Sequence, residues 1–314
     1  MYLTRRHFTA GTASAIALGA TGGIALAQEP IKLKMMFTAV TGFGGSYLAE
    51  YGGFFKKRGI EVEFIPTQSS GNNPPALVSN SVQLAGPTLP TLLQANDAGL
   101  DLVVIAGGAV YPLTGDILIA RQGSGIEKPA DLKGKTVGVP GLGALLHFML
   151  IRTMKHNGVD PKSVRYVEIA FPQAADALKS GQIDAFPAQA PFTARILQSG
   201  AGYEVANWLK DTPDGTITVV HATTRKWAQD NVETVKKLRA AMQEAVDYGK
   251  THTEDLYAAI AKYTKLPTQV VSSLPPPNLT VDVSPEQIKF WIDLMKEQNA
   301  LKGNPDPKSV LFEP

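Results

Sequence analysis

Four landmarks in this chain return 99 positions later, and they constrain the fold more than any composition figure does. Gly42-Phe43-Gly44 comes back as Gly141-Leu142-Gly143, Gly59 as Gly158, and Gln83 as Gln182. The second copy is the plainer. Thr136-Val137-Gly138-Val139 is a short apolar, β-branched run that reads as a buried strand, and Pro140-Gly141-Leu142-Gly143 breaks it. From Ala144 onward, apolar residues fall at helical spacing (Leu145, Phe148, Met149; Leu146, Leu150, Met154) until Asn157-Gly158 supplies a C-terminal cap. Strand, G-x-G turn, helix and glycine stop, given twice in one order, predict two α/β lobes of one plan.

The rest of the chain fits around the repeat. Strands are expected over Ile31–Phe37, Ile60–Ile65, Gln83–Gly86 and Leu102–Ala106, with helices over Ser46–Arg58, Ala76–Asn80 and Thr88–Ala98. Strand and helix alternate, which predicts a mostly parallel sheet with helices on both faces. Gly52-Gly53 is read as a place of close packing inside the Ser46–Arg58 helix. Asp116–Ala120 reads as a strand crossing from one lobe to the other, and Thr216–Val220 as the return. The boundaries are then residues 28–113 with 217–314 for lobe 1 and 114–216 for lobe 2. The tail is helical over Val232–Lys250, Asp255–Tyr263 and Pro285–Asn299, the last opened by a capping box at Ser284 and Gln287.

Three words extend this reading: residues 53–63 (GFFKKRGIEVE), 131–139 (DLKGKTVGV) and 177–185 (ALKSGQIDA). In this order the chain resembles, over roughly residues 30–270, the solute-binding proteins of ABC importers for nitrate, sulfonates, taurine and thiamine-pyrimidine precursors. The resemblance implies a type II periplasmic binding protein, two lobes joined by two hinge strands. It also implies a membrane permease and its ATPase subunits as partners and a small-molecule ligand. Relatives often carry Glu-Pro where this chain has Ala190-Pro191, an acid that would neutralise a ligand amine. Its absence argues against taurine and other amines. Two other functions remain compatible: an enzyme on the same scaffold, such as the pyrimidine synthase this family resembles, and a ligand-binding subunit of a membrane sensor.

Export is written at the start. Arg5-Arg6 and Phe8, an Ala/Gly-rich apolar run and Ala25-Leu26-Ala27 describe a cleavable signal over residues 1–27. The paired arginines favour the twin-arginine route, with the general secretory route as the alternative. Removing that segment takes away Arg5, Arg6 and no acid, which leaves 28 basic residues against 28 acidic ones. A balanced charge argues against nucleic acid or an anionic membrane surface as a partner. The chain has no cysteine, so disulfides, zinc–thiolate sites, thiol nucleophiles and a lipid-bearing cysteine are all excluded. A freely soluble periplasmic monomer is the expectation.

No enzyme signature emerges, and neither a catalytic residue, a cofactor nor a metal site is expected. Both G-x-G turns lack the third glycine of a dinucleotide site, with Tyr47 and Leu146 in its place. The G-x-S-x-G and H-E-x-x-H motifs are absent. In open α/β sheets, ligands bind beyond the carboxyl ends of the strands. Those ends carry Thr38, Thr41, Phe43, Ser69, Ser70, Asn72, Thr88, Tyr111, Gly141, Leu142, Gly143, Ala144, His147 and Gln189. Phe43 can stack on a ligand or pack between lobes, and His147 can donate to a ligand or be a satisfied, partly buried ring. No Arg or Lys is in the set, so an anion would be held by backbone dipoles and neutral donors. The turn Gly141–Ala144, with no capping side chain in its sequence, is expected to offer free N–H groups to the ligand. On that view Gly143→Asp would keep stability and lose binding. The expected ligand is a small organic molecule, a carboxylate or sulfonate, aliphatic or aromatic.

Overall fold

A computed structural model describes residues 29–112, 115–206 and 212–314. The export segment expected over residues 1–27 lies outside them. One sheet holds β1 (Ile31–Thr38), β2 (Ile60–Thr67), β3 (Leu84–Gly86), β4 (Leu102–Val110) and β10 (Ile217–Thr224), in the order β2-β1-β3-β10-β4. The other holds β5 (Ile117–Arg121), β6 (Thr136–Val139), β7 (Arg165–Glu168), β8 (Ala185–Ala188) and β9 (Gly202–Ala206), in the order β7-β6-β8-β5-β9. In each sheet four strands share a direction, and β10 or β5 runs against both its neighbours. The two orders are the same pattern, so the fold is two-lobed with one plan used twice.

The strand sequences account for their place. β4, LVVIAGGAV, is apolar throughout and buried along nearly its whole length, as a strand covered on both faces must be. Helices α1 (Gly44–Tyr51), α2 (Asn73–Val78) and α3 (Leu89–Asp97) flank the first sheet; α4 (Leu145–His156), α5 (Ala174–Lys179) and α6 (Phe192–Gln198) flank the second. After β10 come α7 (Arg225–Asp230), α8 (Val232–Gly249), α9 (Thr253–Thr264), α10 (Thr268–Val271) and α11 (Pro285–Glu297). α8 and α9 pack on α1, while α11 packs on α3 and reaches α4. The capping box at Ser284 and Gln287 opens α11.

One expected helix is shorter than the sequence suggested. α1 stops at Tyr51, and Lys56–Arg58 forms a separate single turn that ends on Gly59 at φ +69°. Two adjacent glycines cost a helix about 1 kcal/mol each. Gly53 sits at φ +74°, and a Cβ on Gly52 would come within 2.5 Å of the Phe54 ring. The chain turns there and buries Phe54 and Phe55 instead of continuing the helix.

The chain passes between sheets after β4 and again before β10. Where both passages are described they lie side by side: Tyr111 N–H donates to the Thr216 carbonyl at 2.9 Å, and Gly215 N–H to the Tyr111 carbonyl at 2.8 Å. α11 pins the return. Trp291, fully buried, donates from Nε1 to the Ile217 carbonyl at 2.6 Å, and Gln287 Nε2 donates to the Gly215 carbonyl at 2.5 Å.

Candidate functional site between the lobes

The carboxyl ends of the strands meet across a narrow cleft. The first lobe contributes Thr38, Val40, Phe43, Ser70, Gly86, Thr88 and Val219. The second contributes Pro140, Ala144, Leu145, Leu146, Phe171 and Gln189. None of these side chains carries a charge. The lobes touch along the seam. Thr41 N–H donates to the Ala190 carbonyl at 3.1 Å, Gly141 faces Ser69 Oγ, and Gly143 faces the Gln94 amide. Elsewhere Lys155 of α4 pairs with Glu297 of α11 at 3.4 Å, and Gln298 Nε2 donates to the Phe148 carbonyl at 3.0 Å.

The first-lobe wall is apolar behind and polar at its edge. Phe43 lies flush on Gly86, where a Cβ would come within 2.5 Å of the ring, so only glycine leaves it room. Its edge meets His221 at 5.5 Å between centroids. His221 is buried with Nδ1 at 2.8 Å from the Gly107 carbonyl, and burial pushes its pKa down to about 4, so the ring is neutral. Ser70 Oγ receives Thr88 N–H at 3.0 Å and donates to Thr91 Oγ1 at 3.1 Å. Fully buried Asn73 donates from Nδ2 to the carbonyls of Ser70 and Gly86, which fixes this edge. Thr38 is different: its Oγ1 is sealed from bulk water and has no partner among the described residues. A buried hydroxyl left alone costs free energy, and a ligand in this cleft would satisfy it.

On the second lobe the expected donors have moved. Leu142 N–H donates to Glu168 Oε2 at 3.2 Å, Gly143 N–H to His147 Nδ1 at 2.9 Å, and Ala144 N–H to the Gly141 carbonyl at 3.2 Å. The N–H groups of Leu142, Gly143 and Ala144 are therefore taken and not free as the sequence implied, while Gly141 N–H has no partner among the described residues. Leu145 and Leu146, the first two residues of α4, also have N–H groups without a partner among the described residues, and both line the cleft. An acceptor placed there meets the positive end of a 12-residue helix. His147 clasps the turn. Burial lowers its pKa, and because Nδ1 accepts, the proton sits on Nε2, which is buried without a partner.

Of the residues singled out from sequence, Thr38, Phe43, Ser70, Thr88, Ala144 and Gln189 come together on the cleft wall. Thr41, Ser69, Gly141 and Gly143 lie along the seam between lobes. Four stand away from the wall. Leu142 is 53% exposed, Asn72 is exposed and donates to Thr67 Oγ1, His147 holds its turn, and Tyr111 is buried at the passage between sheets. Sequence reasoning missed Val40, Gly86, Pro140, Leu145, Leu146, Phe171 and Val219. For Phe171 a signal existed, because it stands 99 positions after Asn72. Among the described residues no cluster of three or more His, Cys, Asp or Glu could hold a metal, and no helix is long and apolar enough to cross a membrane.

Residues 40–255 match the protein family described as NMT1/THI5 like. A putative aliphatic sulfonates-binding protein of Escherichia coli (strain K12) is 27% identical over 249 residues, 76% of this chain and 75% of that protein. A putative thiamine biosynthesis protein of Haemophilus influenzae is 28% identical over 246 residues, 76% of this chain and 74% of that protein. Among solved structures, the alkanesulfonate-binding protein of Xanthomonas axonopodis pv. citri bound to MOPS superposes with a TM-score of 0.77 at 21% identity, covering 91% of this chain and 99% of that one. The periplasmic nitrate-binding protein of Synechocystis PCC 6803 gives the same TM-score at 16% identity, covering 90% and 85%. At these identities the structural likenesses speak for the fold.

Proposed function

Because the chain belongs to the NMT1/THI5-like family, we propose that it is the solute-binding component of an ABC importer, holding one small organic molecule between its lobes and presenting it to a permease. The observation that carries this is the cleft itself: a wall of neutral side chains, two unpartnered N–H groups opening α4, the lone Thr38 hydroxyl, and apolar Phe43, Phe171 and Val219. Such a wall suits a molecule with an acidic or strongly accepting end and an apolar body, a carboxylate or sulfonate, aliphatic or aromatic. It is ill suited to an amine, which would want a carboxylate in the wall. No pair of nucleophile and base lines the cleft, so we read a binder rather than an enzyme.

The lobes in this reading are residues 28–113 with 217–314 and residues 114–216. They open and close about the two passages between sheets, and ligand contacts to both lobes shift the population toward the closed form. Residues 1–27 direct export to the periplasm, where a monomer meets the permease and its ATPases. The test is a thermal-shift screen of sulfonates, aromatic acids, pyrimidines and nitrate. A ligand at roughly 100 times its dissociation constant should stabilise the fold by about 2.7 kcal/mol. Hits should also reduce the radius of gyration in small-angle scattering if the free protein is open. A screen in which amines stabilise the protein and acids do not would overturn the ligand class.

A further inference from the structure

Gln189 is the one amide on the cleft wall, and the protein holds only one end of it. The residue is 7% exposed and follows β8. Its Nε2 donates to Asp116 Oδ2 at 3.2 Å, and Tyr111 donates its hydroxyl to the same oxygen at 3.3 Å. Asp116 is 3% exposed, and its Oδ1 has no partner. Among the described residues, the groups bonded to it come from its own passage between sheets (Tyr111) and from the segment after β8 (Gln189), and no cation is among them. The amide turns its nitrogen inward, the orientation that Asp116 enforces when it is ionised and can only accept. Its oxygen, Oε1, has no hydrogen-bond partner among the described residues, and the residue lines the cleft wall.

We propose that Asp116 is a positioning residue that fixes the Gln189 amide with its carbonyl oxygen toward the cleft, so that the site selects ligands carrying an O–H or N–H donor as well as an acidic group. This rests on the solute-binding reading above. The ligand class becomes hydroxylated or amide-bearing organic acids. A capped analogue that places a methyl group against Oε1 leaves a polar atom desolvated and unpaired, a loss that sites of this kind turn into discrimination. The arrangement also has a pH signature. Burial pushes the Asp116 carboxyl up to about 8. Above that value the carboxylate can only accept, and the amide is locked. Below it the protonated carboxyl is a weaker acceptor and itself a donor, so the amide is free to turn over.

The experiment uses two matched pairs of probes, 4-hydroxybenzoate with 4-methoxybenzoate and 2-hydroxyethanesulfonate with 2-methoxyethanesulfonate, titrated by calorimetry at pH 6.5 and pH 9. The hydroxyl member of a binding pair should bind at least tenfold tighter than its methoxy twin, and the ratio should grow at pH 9. Gln189→Met should abolish the ratio, and Asp116→Asn should remove its pH dependence. Equal binding of the twins, or a ratio indifferent to pH and to Asp116→Asn, overturns the proposal. If neither pair binds, the choice of ligand has failed, and the amide is read directly. In 15N-labelled protein the side-chain NH₂ signal lost in Gln189→Met should shift as pH rises through about 8. That response should vanish in Asp116→Asn. A signal unmoved by both overturns the positioning role with no ligand present.

Discussion

The N–H of Leu145 can be deleted without deleting the helix it opens. Leu145 is the first residue of α4, where a backbone N–H has no intrahelical carbonyl to reach and proline is tolerated. Ala144 before it is extended, at φ −96° and ψ 179°, the conformation a residue preceding proline prefers. Leu145→Pro therefore removes one donor from the cleft and shortens a buried side chain by one carbon. Leu145→Val shortens the side chain equally and keeps the donor. Each should lose about 0.8 kcal/mol of stability for the missing methylene, so the two should melt within a few degrees of each other. Their ligand binding should differ. A hydrogen bond to a charged acceptor contributes about 1.5–3 kcal/mol, which is roughly a ten- to hundredfold loss of affinity in the proline variant. Calorimetric titration of both variants with the tightest acid from the screen measures it. If the folded proline variant binds as tightly as the valine variant, the ligand's acceptor does not sit on α4.

Three further outcomes follow from the geometry. Gly143→Asp should lower stability by about 1 kcal/mol in denaturant unfolding, because Gly143 holds φ +71° and faces the Gln94 amide across the seam; unchanged stability would show that the seam gives way. Asp116→Asn should flatten the fall of melting temperature between pH 5 and pH 9. The folded pKa of about 8 lies above the ordinary 3.8, so this group's stability is complete below about pH 4 and is lost as pH rises toward 8, at up to about 1.4 kcal/mol per unit; equal slopes in both proteins would refute the assignment. Replacing Arg5 and Arg6 with lysines should leave precursor in the cytoplasm, and normal periplasmic maturation would favour the general secretory route.

The sequence carried the plan further than it carried the site. The 99-residue offset anticipated two sheets of one strand order, and Gly59 and Gly158 do close their helical turns alike, at φ +69° and +71°. The paired G-x-G turns share spacing but not conformation, since Gly44 is helical at φ −52° and Gly143 left-handed. The error over free donors has a definite cause. Pairing of β6 with β7 sets Glu168 beside Val139, which brings its carboxylate to the Leu142 N–H. No local pattern in residues 139–145 contains that register. Val219 reaches the wall only through the antiparallel pairing of β10. Gly86 was visible as a strand residue, but its role as the floor under Phe43 depends on how two distant turns pack.

The order of strands also dictates an order of assembly. β4 stands at the edge of its sheet; its one strand partner is β10, made about a hundred residues later, and its outer side is bridged only by the still later Leu279 and Leu311. Through that interval nine uncharged, apolar residues have no strand to pair with, the kind of segment that seeds aggregation when left open. The second sheet has no such delay. β9 pairs with β5, which precedes it, so this sheet can close as soon as β9 emerges. The second lobe can thus be native while the first is still missing its fourth strand in spatial order. Whatever shields residues 102–110 until β10 arrives, a chaperone or a transient contact within the chain, decides the yield of folded protein.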